Sequence, residues 1–191
     1  MSPTGRGRPA LLTLILILSL AGAASARAQE DNGFMPKGGK TLLLGLYGDA
    51  AHAAALREIM GARHDEAEWR SLMAARQQTL SDRELNELAA YLSVNTPVPD
   101  SALEQAAKSG DLAAALPADG RELAWTQCQF CHSLFSGYLM QQRDAQGWRS
   151  IFLSPFHRGI KLTAQERETF ARYSAINMPL KPGDVPADLR Y

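Results

Sequence analysis

Several kinds of functional pattern are missing from this 191-residue sequence. It has no paired carboxylates at a catalytic spacing, no nucleophile elbow and no phosphate-binding loop. It also lacks the basic cluster that a nucleic-acid partner would require. Alternation of β-branched and polar residues is scarce, whereas apolar residues recur with helical spacing. The pattern therefore predicts an all-α protein without the usual hydrolytic or phosphoryl-transfer machinery.

The N-terminus has the three parts of a secretory signal. Arg6 and Arg8 precede a short apolar run over 10–20, and small residues follow up to Ala28. The run is short for a membrane-spanning helix, which favours a cleaved signal peptide over an uncleaved anchor. Residues 1–28 are therefore predicted to be removed, leaving a periplasmic chain that starts at Gln29.

Charge in the remaining chain is nearly balanced but unevenly distributed. Residues 29–191 have 17 basic and 20 acidic side chains, a formal charge of −3. Residues 29–119 contain 8 basic and 14 acidic side chains, whereas residues 120–191 contain 9 and 6. An asymmetry of this size is more typical of solvated helix faces than of a docking surface.

The most specific pattern is Cys-Gln-Phe-Cys-His, from Cys128 to His132. Two cysteines three apart on one helical turn can reach two vinyl groups of a porphyrin, and the following histidine can bind its iron. A disulfide, half of a zinc site and a thioredoxin-like motif are the alternatives. A zinc site would need further ligands from a chain with only four histidines, and a thioredoxin-like motif would need a βαβ pattern.

This C-x-x-C-H sequence resembles the attachment motif of class I c-type cytochromes. The resemblance implies one covalent haem c on Cys128 and Cys131, with His132 as the proximal iron ligand. Attachment of this kind takes place outside the bacterial cytoplasm, which agrees with the predicted signal peptide.

Capping and breaking signals divide the chain into helices. The predicted helical stretches are 40–62 with a break near Gly48, 66–78, 81–94, one helix within 100–117, a helix from 119 into the motif, and 163–176. Capping boxes are expected at Ser81, Ser101 and Thr163, and the tail to residue 191 is expected to be extended.

The two halves of the chain resemble each other. With His52 set against His132, the pairs that match include Met60 and Met140, Arg63 and Arg143, Trp69-Arg70-Ser71 and Trp148-Arg149-Ser150, Tyr91 and Tyr173, Asn95 and Asn177, and Pro97 and Pro179. Such an ordered set indicates a duplication. The predicted organisation is a degenerate cytochrome-c-like domain over 29–100, a linker over 101–118 and a haem-binding cytochrome c domain over 119–191.

The first half has lost both thiols. Gly48 and Ala51 stand where the second half has Cys128 and Cys131, while His52 remains. A lone histidine is usually structural or solvated. The place of a missing haem must be filled, and the candidates are Leu42, Leu43, Leu44, Leu46, Tyr47 and Leu56.

The sixth iron ligand is left open between a histidine and methionines. Class I cytochromes supply a methionine from the loop before the closing helix, but here that loop reads Ser-Pro-Phe-His-Arg-Gly and contains His157. Met178 lies in an Asn-Met-Pro sequence after the closing helix, and Met140 has Met60 as its counterpart. His157 is the preferred candidate, Met178 the main alternative, and Met140 or an open position the remaining ones.

The resemblance implies a periplasmic carrier of single electrons, as a subunit or partner of a dehydrogenase or other oxidoreductase. The alternative is a haem enzyme or small-ligand sensor, in which an open distal position lets a molecule bind the iron. A third interpretation is a structural subunit whose haem has no role in catalysis or transfer.

Overall fold

The computed structural model describes residues 32–191, and every regular element within that range is helical, without a strand. The predicted all-α class is thus confirmed. The predicted signal peptide, residues 1–28, lies outside the described residues. In the described range no helix combines the length and apolar character needed to cross a membrane.

Eight α-helices follow one another within residues 32–191. They are α1 Gly39–Tyr47, α2 Ala53–Gly61, α3 Glu66–Arg76, α4 Asp82–Asn95, α5 Asp100–Ser109, α6 Gly120–Cys128, α7 Ala145–Ser150 and α8 Ala164–Asn177. Between and after them lie a π-helical turn, Phe135–Leu139, and 3-10 turns at Ala50–His52, Leu112–Ala115, Ile151–Leu153, Pro155–His157, Pro182–Asp184 and Ala187–Leu189.

Side-chain caps fix where several helices begin. The predicted capping boxes of Ser81 and Thr163 both form at the starts of α4 and α8. The box predicted at Ser101 does not form, because the Pro99 carbonyl already accepts the first helical hydrogen bonds and α5 starts at Asp100. Ser101 therefore lies inside the first turn of α5 rather than at its N-cap.

Residues 35–191 form one compact unit, in which the closing helices of the two halves, α4 and α8, pack together. Gly39 lies so close to Tyr91 that an added Cβ would overlap the tyrosine, and Gly120 lies equally close to Tyr173. The first helix of each half thus packs against the closing helix of the same half at a glycine–tyrosine contact.

The tyrosine hydroxyls bind the opposite halves. Tyr91 Oη donates to the Pro117 carbonyl at 2.7 Å, and Tyr173 Oη donates to the Pro36 carbonyl at 2.8 Å. Each proline lies three residues before the glycine that begins the first helix of its own half. The exchange is reciprocal, since each tyrosine binds the segment that leads into the first helix of the other half.

Two asparagines repeat the same exchange in the buried interface. Asn95 Nδ2 donates to Thr169 Oγ1 at 2.9 Å, and Asn177 Nδ2 donates to Glu87 Oε2 at 3.0 Å. Each asparagine also donates to the carbonyl four residues earlier in its own helix. These bonds satisfy polar groups that would otherwise be buried without partners.

The segment predicted as a linker packs on the first half. Leu103 of α5 and Leu116 are buried in the same hydrophobic cluster as Trp69 and Leu88, and Leu112 packs against it. The six residues expected to fill this half are all there, with Leu42, Leu43, Tyr47 and Leu56 buried and Leu44 and Leu46 packed against the cluster. Residues 101–118 thus complete a core as well as connecting the halves.

Candidate functional site

Helix α6 presents the first cysteine of the motif. Its start is fixed by a capping box between Asp119 and Glu122, and its last residue is Cys128. Cys131 and His132 follow in an irregular segment, so the motif crosses the end of a helix instead of occupying one helical turn as expected. Both cysteines are free thiols.

Both thiols and two histidines line one cavity in the second half. The cavity lies beside α6, α7 and α8 and has about 710 Å³ of empty space, including the part open to solvent. Cys128, Cys131, His132 and His157 all contribute to its wall. Most of the remaining wall is apolar or aromatic, from Tyr138, Trp148, Ile151, Phe152, Phe156, Ile160, Leu162 and Phe170. A largely apolar cavity with a few convergent polar groups is typical of a cofactor site.

The two imidazoles are close enough to bind the same metal ion. The ring centroids of His132 and His157 are 6.3 Å apart. Two imidazoles bound to opposite sides of one metal ion have centroids about 6 Å apart, because each metal–nitrogen bond is about 2 Å long. The sequence-predicted pair of proximal and distal candidates is therefore brought together at a compatible separation.

Backbone carbonyls orient both rings. His157 Nδ1 lies 3.0 Å from the Ile151 carbonyl, and His132 Nδ1 lies 3.2 Å from the Ser133 carbonyl. The tautomer that donates from Nδ1 leaves Nε2 with its lone pair free for a metal. Gly137 packs directly on the His132 ring, and a Cβ at this position would overlap it.

The methionine candidates lie elsewhere. Met178 is buried at the C-terminal end of α8, where its backbone N–H donates to the Ser174 carbonyl, and it does not line the cavity. Met140 is half-buried after the π-helical turn and does not line the cavity either. Of the three distal candidates, the structure brings only His157 to the cavity.

Burial controls the state of the first thiol. It raises the pKa of the Cys128 thiol to about 12, so this group is protonated at neutral pH, whereas Cys131 is exposed. Within residues 32–191 no group of three or more histidine, cysteine or acidic side chains is arranged to hold a metal ion.

Two polar groups in the cavity wall could bind a ligand. Trp148 Nε1 is buried without a hydrogen-bond partner, and the Arg143 guanidinium lies 5.6 Å from the centre of the Trp148 ring. An orphaned donor and a cation beside an apolar cavity fit a flat apolar group that carries carboxylates, as haem does. Trp69, the counterpart in the first half, also has an unpartnered Nε1 and makes an edge contact with His64.

Arg143, which matches Arg63 of the first half in sequence, lies in the cavity wall. Arg149 and its counterpart Arg70 form ion pairs with Glu168 and Asp82 near α8 and α4, which agrees with structural roles for both. No sequence signal distinguishes Arg143 from Arg63, since only the surrounding cavity does so.

The first half has a histidine, His52, but no thiol at the corresponding place. His52 is exposed and its Nδ1 lies 2.7 Å from Asp49 Oδ1, a hydrogen bond that lowers the pKa of that carboxyl. Helix α6 begins 81 residues after α1 begins, and it ends 81 residues after α1 ends. Tyr47, and not Gly48, therefore occupies the place of Cys128. The buried Tyr47 ring therefore stands where the second half has a thiol.

Comparison with protein-family models, curated proteins and solved structures finds no match to this chain. What the cavity binds is therefore inferred from its own residues.

Proposed function

We propose that this protein is a periplasmic monohaem c-type cytochrome that carries single electrons, as a subunit or partner of a dehydrogenase or other oxidoreductase. The observation that carries the proposal is the placement of Cys128, Cys131 and His132 in one aromatic-lined cavity with His157. A cysteine pair with an adjacent histidine is the attachment signature of haem c.

The chain's residues have distinct tasks in this proposal. Cys128 and Cys131 would hold the haem through thioether bonds, and His132 would be an iron ligand. Trp148 Nε1 and Arg143 are the donor and the cation available for the carboxylates. The aromatic wall excludes water from the ring. When bound, haem supplies a one-electron iron couple.

His157 would be the second iron ligand that the chain supplies in this proposal. The Ile151 carbonyl holds its Nδ1, which leaves Nε2 for the iron and raises the basicity of the ring. A methionine at this position raises the haem potential. We therefore expect two imidazoles to give a carrier of lower potential than one with histidine and methionine ligands.

The first half acts as a scaffold in this proposal. It has no thiol to attach a second haem, and its core is completed by Leu103 and Leu116. Its contribution to the site is indirect, because the Pro36 carbonyl and Thr41 bind groups on α8 and at the start of α6. These bonds fix the two helices between which the cavity forms.

Haem attachment tests the proposal directly. The full chain is produced in a bacterial host with a periplasmic haem-attachment system, and the purified protein is analysed by mass spectrometry and by its pyridine haemochrome spectrum. We expect a chain starting at Gln29 with one haem that resists extraction by acidified solvent. The double variant C128S/C131S should lack covalent haem, whereas His52→Ala should retain it.

A haem-free product with a Cys128–Cys131 disulfide would overturn the proposal, as would haem that acidified solvent removes. A product that remains in the cytoplasm with its first 28 residues intact would overturn the periplasmic location.

A further inference from the structure

We propose that Gly137 is a positioning residue for the iron ligand His132, and that the π-helical turn Phe135–Leu139 holds this glycine against the imidazole ring. This inference rests on the proposed function, because the ring has a metal ion to bind only when haem is present. The attachment motif by itself leaves the rotation of the His132 ring open, and Gly137 fixes it.

Gly137 lies against one edge of the His132 ring. A Cβ built on this glycine would overlap Nδ1 and Cε1 of the imidazole. Both residues line the same cavity. Since every other residue type has a Cβ, only glycine lets the ring and this stretch of backbone lie as close as they do.

One carbonyl connects the two residues by hydrogen bonding. The Ser133 carbonyl accepts from the Gly137 N–H at 3.0 Å and lies 3.2 Å from His132 Nδ1. In the tautomer that donates from Nδ1, the ring therefore binds the same oxygen that the Gly137 N–H binds. Contacts of this kind orient a ligating imidazole and determine which nitrogen is free for the metal. Packing and hydrogen bonding thus restrain the same edge of the ring.

The turn that contains Gly137 is fixed on its buried side. Tyr138 and Leu139 are both buried. Tyr138 Oη lies 2.9 Å from Ser174 Oγ of α8, and the Leu139 carbonyl accepts from the Leu180 N–H at 2.9 Å. The turn cannot move away from the ring without breaking these bonds. π-helical turns inside helical segments are frequent at functional sites.

The corresponding segment of the first half differs in both respects. With His52 set against His132, Arg57 stands at the place of Gly137. The backbone there is the regular α-helix Ala53–Gly61 and not a π-helical turn. Within residues 32–191, the glycine and the π-helical turn thus accompany the histidine in the half that also has both thiols.

The orientation of the ring can be measured. The planes of the His132 and His157 rings are inclined by 65° to each other. The electron paramagnetic resonance (EPR) spectrum of ferric iron between two imidazoles depends on the angle between their planes, because this angle affects the splitting of the iron d orbitals. Rotation of His132 therefore has a spectroscopic signature that a change in stability alone does not produce.

The test replaces Gly137 in the haem-loaded protein. The variant is Gly137→Ala, and the matched control is Gly61→Ala, at an exposed position of α2 where an added Cβ meets open space. Alanine favours a helical backbone over glycine at both positions, so the two variants differ in the contact with the ring. The EPR spectrum of the ferric form is recorded for each protein, and nuclear Overhauser effects are measured in the ferrous unmutated protein.

We expect a nuclear Overhauser effect between the ring protons of His132 and the α protons of Gly137 in the unmutated protein, because the two groups are in contact. Gly137→Ala should rotate or displace the ring, which shifts the g values of the low-spin ferric signal or converts part of it to high spin. Gly61→Ala should keep the unmutated spectrum.

Three results would overturn the inference. One is the lack of the nuclear Overhauser effect in the unmutated protein, which also decides the matter if Gly137→Ala does not fold. The second is a Gly137→Ala protein with the unmutated EPR spectrum, and the third is an equal spectral change in Gly61→Ala. An unmutated chain without covalent haem refutes the proposed function, whereas haem-loaded Gly137→Ala with an unchanged spectrum refutes the positioning role alone.

Discussion

Asp119 occupies the space that a side chain on Gly38 would need, because a Cβ added to Gly38 would overlap the Asp119 carboxylate. Gly38 is the N-cap residue of α1 and has no side chain with which to cap it. Asp119 caps its own helix, α6, through the Glu122 N–H and also accepts from the Thr41 N–H of α1 at 3.1 Å. One buried carboxylate thus caps the first helix of each half.

Asp119→Ala should therefore destabilise the protein more than the loss of a single cap. Removing one N-cap costs about 1 kcal/mol, and breaking a buried charged hydrogen bond adds about 1.5–3 kcal/mol. We expect a loss of about 2–4 kcal/mol in the free energy of unfolding, measured by urea titration. Asp65→Ala is the control, since Asp65 caps only the exposed start of α3 and should cost about 1 kcal/mol. Equal losses in the two variants would contradict the double role.

Glu87 should make stability fall as pH rises. Burial raises its pKa to about 8, and the nearby Asp119 carboxylate adds to the increase, as does Glu66 to a smaller extent. Between the ordinary glutamate value and pH 8 the unfolded chain has lost this proton while the folded protein keeps it. The folded state therefore becomes less stable relative to the unfolded state over that range.

Glu87→Gln removes the titratable carboxyl group and should make the decrease in stability with rising pH less steep. The amide oxygen of glutamine can still accept from the Gly39 N–H. The hydrogen bond that Asn177 Nδ2 donates to Glu87 Oε2 must be replaced. We expect the variant to gain stability relative to the unmutated protein between pH 5 and pH 8, followed by urea titration at each pH. If the free energies of unfolding of the two proteins differed by the same amount at every pH in that range, Glu87 would not titrate there.

The distal ligand can be identified from the spin state of the haem-loaded protein. If His157 binds the iron, the unmutated ferric protein should be low-spin without the sulfur-to-iron band of methionine ligation. His157→Ala should then become high-spin, whereas Met178→Ala should stay low-spin and lose about 2–5 kcal/mol of stability because a buried side chain is removed. A high-spin spectrum in the unmutated protein would favour a haem enzyme or small-ligand sensor instead.

The two orphaned indoles offer a matched comparison. Trp69→Phe removes a buried donor without a partner in the half that has no cysteines, so its effect on stability should be the same with and without haem. Trp148→Phe should destabilise the haem-loaded protein more than the haem-free one, because a haem carboxylate would lose the N–H donor of Trp148. Thermal melts of both forms of each variant measure this difference, and equal behaviour would rule out that partner.

Local signals predicted the local structure well. The capping boxes of Ser81 and Thr163 depend on residues three apart, and both form as predicted. The motif from Cys128 to His132 and the loop histidine His157 were also identified from spacing and position along the chain. Each of these predictions depends on neighbours in sequence.

Features that depend on distant contacts were not predicted. The cavity lining by Arg143, the burial of Met178 away from it and the packing of Leu103 on the first half follow from tertiary structure.

The hydrogen bonds of the two tyrosine hydroxyls make each half depend on the other for folding. Tyr91 and Tyr173 each complete their hydrogen bonding on a carbonyl of the opposite half, at Pro117 and Pro36. Cutting the chain just before Pro117 would therefore leave both hydroxyls dependent on reassociation, and we expect neither fragment to fold independently as the intact chain does. One half of such a pair can lack ligand-binding residues and still be required as a folding partner.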